Sequence, residues 1–214
     1  MEENVRVNRK KRATSEEPIF LDDKLFIELG NLVNNLDWGY KANREALTSR
    51  DRALFAFLFL TGCRISEALA LKRKQFRIYS NRIEVVNIVT LKHGLLRAKV
   101  ILPKSGALKN LTSIFERWLT TVSQEESYIF PRATTSGELD WTEHLGRKRA
   151  YQIIQPSGKF PHWARAVCET IYGKKVFNND AWKLKQFMGL KRLDSTASYV
   201  QGSWEENEKD IYQL

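Results

Sequence analysis

The chain has 214 residues, of which 43% are hydrophobic and 28% charged, enough apolar material for one globular domain with a core of its own. Lys and Arg number 35 against 25 Asp and Glu, and the net charge of +10 suits a polyanionic partner. Two cysteines and three histidines exclude a disulfide framework and a rich metal site, and the run Ala53 to Leu60 is far short of the roughly 20 apolar residues that cross a bilayer. No apolar segment of signal-peptide type follows Met1, so the chain reads as intracellular and nucleic-acid-facing rather than secreted or membrane-bound.

Residues 1–19 form a basic tail, with Arg6, Arg9, Lys10, Lys11 and Arg12 and no apolar periodicity. It is either a solvated, disordered start or an arm that lies along phosphates. The folded unit is expected over 20–202. Leu25, Phe26, Leu29, Leu32 and Val33 recur at helical spacing after Asp22 and Asp23. Thr48-Ser49-Arg50-Asp51 resembles a capping box ahead of Ala53 to Leu60, a helix so apolar that it belongs at the centre of the core. Gly62 interrupts it, and Ser66 to Leu71 resumes a short helix. The period then changes to that of strands. Arg82 to Val89 and Ala98 to Leu102 predict an antiparallel hairpin or small three-stranded sheet whose turn carries Lys92. Leu108, Leu111, Phe115, Trp118, Leu119 and Val122 mark an amphipathic helix, and further helices are expected around Glu143–Ile154, His162–Tyr172, Asp180–Met188 and Ser195–Gln201. The fold class is mainly α with one small antiparallel β-sheet.

Three segments carry residues suited to chemistry. In Thr61-Gly62-Cys63-Arg64-Ile65-Ser66-Glu67, an arginine leaves the end of a buried helix with a glutamate three residues on. Arg64 and Glu67 make either a structural ion pair or a two-pronged phosphate clamp whose fork Glu67 orients. In Pro161-His162-Trp163-Ala164-Arg165, His162 and Arg165 share one helix face at i and i+3, a pairing that suits a phosphoryl oxygen and also occurs on many surface helices. In Gly189 to Tyr199, a cap at Asp194 or Ser195 precedes Tyr199, either a core aromatic or a nucleophile beside cations.

Taken in order, Thr-Gly-x-Arg-x-x-Glu-x-x-x-Leu, the turn lysine Lys92, His162-x-x-Arg165 and Ser195-Thr196-x-x-Tyr199 resemble the catalytic domain of the tyrosine recombinases, the phage-integrase family, from about Phe20 to Gly202. The resemblance implies that Tyr199 attacks a DNA phosphodiester and leaves a 3′-phosphotyrosyl link and a free 5′-hydroxyl. Arg64 and Arg165 would hold the non-bridging oxygens, Lys92 would protonate the departing 5′-oxygen, and His162 would bond the phosphate or move a proton at the tyrosine. It implies no metal, ATP or other cofactor. The partner would be double-stranded DNA, on which the chain assembles as a homo-oligomer, a tetramer, with no membrane involved.

Two features depart from the family pattern. His or Trp usually follows the glycine corresponding to Gly189, whereas this chain has Leu190, and Lys191 is the candidate to take over that phosphate contact. Family members also carry a core-binding domain ahead of the first arginine box. The stretch before Arg64 is too short for one, so the chain reads as a catalytic fragment or a minimal recombinase. Residues 203–214 would dock on a neighbouring subunit or fray. Further basic groups, among them Lys72, Lys74, Arg77, Lys174 and Lys175, are expected on one DNA-facing surface. The rival functions are a type IB topoisomerase, a DNA-binding protein that keeps the fold without cleavage, and, more remotely, RNA recognition.

Overall fold

Helical periodicity sets the first two elements. Leu29 and Val33, four residues apart, turn one face of α1 (Asp23–Asn35) into the core. Every residue of α2 (Glu45–Thr61) from Ala53 onward is buried, so this helix has no polar face there and runs through the middle of the domain. The computed structural model describes residues 23–40, 44–90, 96–157 and 161–191. The basic tail, Lys92, the helix expected at Ser195–Gln201, Tyr199 and the C-terminal segment lie outside the described residues.

α2 starts at Glu45, about one turn ahead of the capping box expected at Thr48 to Asp51. Asp51 is buried and committed elsewhere. Its carboxylate accepts from Arg50 Nε at 2.8 Å and from Tyr40 Oη at 2.6 Å, while Arg50 Nη1 donates to the Pro131 carbonyl at 2.9 Å. With that side chain engaged in a tertiary network, the good helix formers Glu45-Ala46-Leu47 extend the helix backward.

After α2 come the short α3 (Ile65–Leu69) and an antiparallel meander of β1 (Phe76–Ile78), β2 (Arg82–Val89) and β3 (Leu96–Pro103) in the order β1-β2-β3. Ile83 lies opposite Leu102, and Val85 opposite Val100, and all four face the core. Asn87 has a left-handed φ of 57°, and beyond it the inward face changes parity, so that Ile88 and Arg97, paired across the ladder, are the buried ones. α4 (Lys109–Leu119) turns Leu111, Phe115 and Trp118 onto α2. There Phe57 meets Phe115, Phe130 and Phe76 with ring centroids 4.9, 5.8 and 6.0 Å apart.

The expectation of a single sheet is corrected by a second, two-stranded one, β4 (Pro131–Ala133) with β5 (Leu139–His144). Glu143 and His144 lie in β5, and the helix expected from Glu143 begins only at Arg147, as α5 (Arg147–Ile154). Tertiary packing decides this. Trp141 stacks on Trp118 at 5.6 Å, and Tyr128 meets the His144 ring edge-on at 5.4 Å, contacts that an extended strand reaches. α6 (Pro161–Ile171) packs on α2, with Trp163 edge-on to Phe59 at 5.4 Å. α7 (Ala181–Met188) follows, its N-terminus capped by Asp180, which accepts from the backbone N–H groups of Trp182 and Lys183.

Candidate active site

The site is built on the end of α2. Gly62 closes that helix with a φ of 60° and returns its N–H to the Leu58 carbonyl at 2.9 Å. A Cβ there would lie 2.5 Å from Met188 Cε and 3.1 Å from Cys168 Sγ, so the position requires glycine for conformation and for space. The chain then extends through Cys63 to Arg64, which precedes α3. Glu67, its side chain fully buried, accepts from the Arg64 backbone N–H through Oε2 and from Nη1 through Oε1, both at 2.9 Å. The Arg64 side chain is 35% exposed, and its Nη2 has no partner among the described residues. A buried carboxylate thus fixes one prong of the fork and leaves the other unbonded on a partly exposed side chain.

Arg165 approaches the same turn from α6. It is 4% exposed, pairs through Nε with Glu169 at 3.0 Å and donates through Nη1 to the Gly62 carbonyl at 2.6 Å, with a long 3.4 Å contact from Nη2 to the Met188 carbonyl. Arg165, distant in sequence, is thus bonded to the turn two residues before Arg64. His162 lies one turn earlier on α6 and is exposed, with no bond to Arg165 among the described contacts. Gly189 ends α7 with a φ of 63°; Leu190 then packs against the core, and Lys191 is exposed beside it. The two remaining sequence candidates, Lys92 and Tyr199, lie outside the described residues.

One residue at this turn escaped the sequence reading. Arg97 of β3 is 3% exposed, donates through Nη2 to the Thr61 carbonyl at 2.8 Å, and places Nη1 3.3 Å from Cys63 Sγ. Simple alternation from Val100 and Leu102 turns it outward; the only sequence signal against that is Asn87, an αL-tolerant residue inside a strand. Burial raises the thiols of both Cys63 and Cys168 above the ordinary range and so disfavours their thiolates. Of the basic run after the first box, Lys72 and Lys74 both pair with Glu126, at 2.9 and 2.7 Å, and hold its carboxyl down at about 2. Arg73 donates to the carbonyls of Val122 and Phe76. Lys174 and Lys175 remain exposed. Among the described residues, no three His, Cys, Asp or Glu side chains gather as a metal site requires, and no helix is long and apolar enough to cross a membrane.

Comparison with solved structures gives the same architecture in recombinases, two of the three below in complex with DNA. The XerH site-specific recombinase in a pre-cleavage complex with difH substrate superposes with a TM-score of 0.63 at 19% identity, over 91% of this chain and 53% of that one. The Tn1549 transposon integrase in complex with circular intermediate DNA gives 0.55 at 15% identity, over 92% and 66%. The XerA recombinase gives 0.54 at 15%, over 93% and 64%. The chain thus spans about half the length of the XerH chain it matches. A comparison with curated protein sequences finds no significant match. The model of the phage integrase family matches residues 40–205, a stretch that contains every candidate side chain named above, and the chain belongs to that family.

Proposed function

We propose that this protein breaks and rejoins double-stranded DNA as a site-specific recombinase, with Tyr199 as the nucleophile. Tyr199 Oη attacks the phosphorus and passes its proton to His162, the bond to the 5′-oxygen breaks, and Lys92 supplies the proton that oxygen takes up. The products are a 3′-phosphotyrosyl link and a free 5′-hydroxyl. The link conserves the phosphodiester bond energy, so attack by another 5′-hydroxyl rejoins the strand without ATP. Arg64 and Arg165 stabilise the charge that builds on the non-bridging oxygens, while His162 and Lys191 bond the same phosphate from its flanks. The working form is a homotetramer on DNA.

The observation that carries this reading is the pair of arginines at one turn. Arg64 is half-exposed and braced by the buried Glu67, and Arg165 is bonded to the carbonyl of Gly62 two residues earlier. A structural ion pair has no need to leave a guanidinium edge free at a turn to which another, buried guanidinium is bonded.

The test is covalent capture on supercoiled plasmid. The expected result is a protein–DNA adduct that survives denaturation and vanishes in Tyr199→Phe; sequencing the adducted ends then reports the site cleaved. Relaxation of the plasmid without strand exchange between two copies of that site points to a type IB topoisomerase-like activity. A second reading, a non-cleaving DNA-binding protein, is favoured by Leu190, which packs against the core and offers no hydrogen bond where the family has His or Trp. Tight plasmid binding with no adduct would select it.

A further inference from the structure

We infer that Arg97 is a positioning residue for Arg64: it holds the turn on which that guanidinium is presented. The inference rests on the reading of Arg64 as the phosphate-binding arginine. Arg97 is an unusual residue to bury. The residue is 3% exposed, and among the described residues it has no carboxylate within ion-pair distance and its Nε has no hydrogen-bond partner. A buried charge without an anion is costly and persists where its surroundings use it.

Its contacts say what that use is. Nη2 bonds the Thr61 carbonyl and Nη1 lies against Cys63 Sγ, so the fork straddles Gly62 and grips both of its neighbours. Arg165 bonds the carbonyl of Gly62 itself. The turn leading into Arg64 is therefore fixed at three consecutive residues, by side chains from β3 and α6. The stem of Arg97 is fixed in its turn. Its guanidinium carbon lies 5.1 Å from the centre of the Phe187 ring, and a Cβ at Gly189 would lie 2.9 and 3.0 Å from its Cγ and Cδ. Arg97 thus joins the hairpin, the end of α2 and the end of α7 at one point. A lysine there can bond one carbonyl, but it cannot straddle the turn.

The experiment compares strand cleavage of two synthetic duplexes that carry the sequence recovered from plasmid adducts. One has the natural phosphodiester; the other has a neutral methylphosphonate at the scissile position. An arginine that stabilises charge on the non-bridging oxygens is needed for the first substrate and far less for the second. Arg97→Met, which keeps the stem and removes the fork, is expected to cleave the diester roughly 10- to 100-fold more slowly than wild type. On the methylphosphonate it should cleave within about threefold of wild type, as should Arg64→Ala. Its melting temperature should equal or exceed that of wild type, since an unpaired buried charge has been removed. Arg97→Lys should recover part of the diester rate, and it carries the same comparison if the methionine variant fails to fold.

Equal slowing on both substrates, or no slowing on either, would overturn the inference and leave Arg97 a cap on α2. Arg64→Ala that is slow on both substrates would locate the fault in the reading of Arg64, and the inference falls with it. Wild-type protein that forms no adduct on plasmid would refute the proposed function itself.

Discussion

Gly62→Ala tests the turn most directly, because two independent effects act there. The backbone φ of 60° is left-handed, a conformation that costs an alanine about 1–2 kcal/mol. The new methyl group would also lie 2.5 Å from Met188 Cε, 3.0 Å from Met188 Sδ and 3.1 Å from Cys168 Sγ. Overpacking of a core costs about 1–3 kcal/mol, and the lower part of that range applies because the nearest atoms belong to the flexible end of a methionine. The expected loss is therefore about 2–4 kcal/mol, read as a shift of the urea midpoint at constant slope. Met188→Ala separates the two parts. In that background only the backbone term and the Cys168 contact remain, so Gly62→Ala should cost about 1 kcal/mol less than in wild type. A loss below about 0.5 kcal/mol, or an equal loss in both backgrounds, would refute the account of why glycine occupies this position.

Glu169→Gln keeps the shape of a nearly buried side chain but removes the anion beside Arg165, and should cost about 3 kcal/mol in urea unfolding together with most of the adduct yield. Phe57→Ala empties the space between Phe76, Phe115 and Phe130 and should lower stability by about 3–5 kcal/mol in the same assay. The Glu126 carboxyl, held at about 2 in the folded state by Lys74 and Lys72, lies below its unfolded value; its contribution is present above pH 4.5 and is lost as pH falls toward 2. Carboxyl NMR shifts should follow that titration, and Lys74→Ala should move it upward. Leu190→His, which places a hydrogen-bonding ring after Gly189, should raise adduct yield by about tenfold.

The parts of the site that the sequence revealed are those whose geometry is local. Glu67 reaches Arg64 because three residues of helix separate them, and Asp180 caps α7 because a cap needs only its own next turn. The central helix was legible for the same reason, since an unbroken apolar run from Ala53 has one place to go. What was not legible depended on distant partners. The local sequence makes Asp51 part of a cap, whereas in the fold Tyr40 and Arg50 hold its carboxylate. Glu143 and His144 joined a strand because Trp141 stacks on Trp118 in the helix before. Arg97 was hidden by a parity change at Asn87, which no alternation rule anticipates; the residue became visible only once α2, β3 and α7 had been brought together.

The charge at this turn follows from the direction of α2. A helix C-terminus carries roughly half a negative charge on its last carbonyls, and α2 directs that end toward the segment that leads into Arg64. Left alone, it would oppose an approaching phosphodiester. Arg97 and Arg165 bond two successive carbonyls there, those of Thr61 and Gly62, and so convert the negative end of the helix into part of a positive cluster. Glu67 and Glu169 each balance one guanidinium, Arg64 and Arg165. Arg97, the one without a carboxylate among the described residues, is the source of the excess. Its burial removes it from contact with solvent and also from screening by salt, so its field is felt through the low-dielectric turn at the half-exposed Arg64 edge. Under the proposed function, an acid placed beside Arg97 would steady the arginine and cancel the excess charge that a phosphate would meet at this turn.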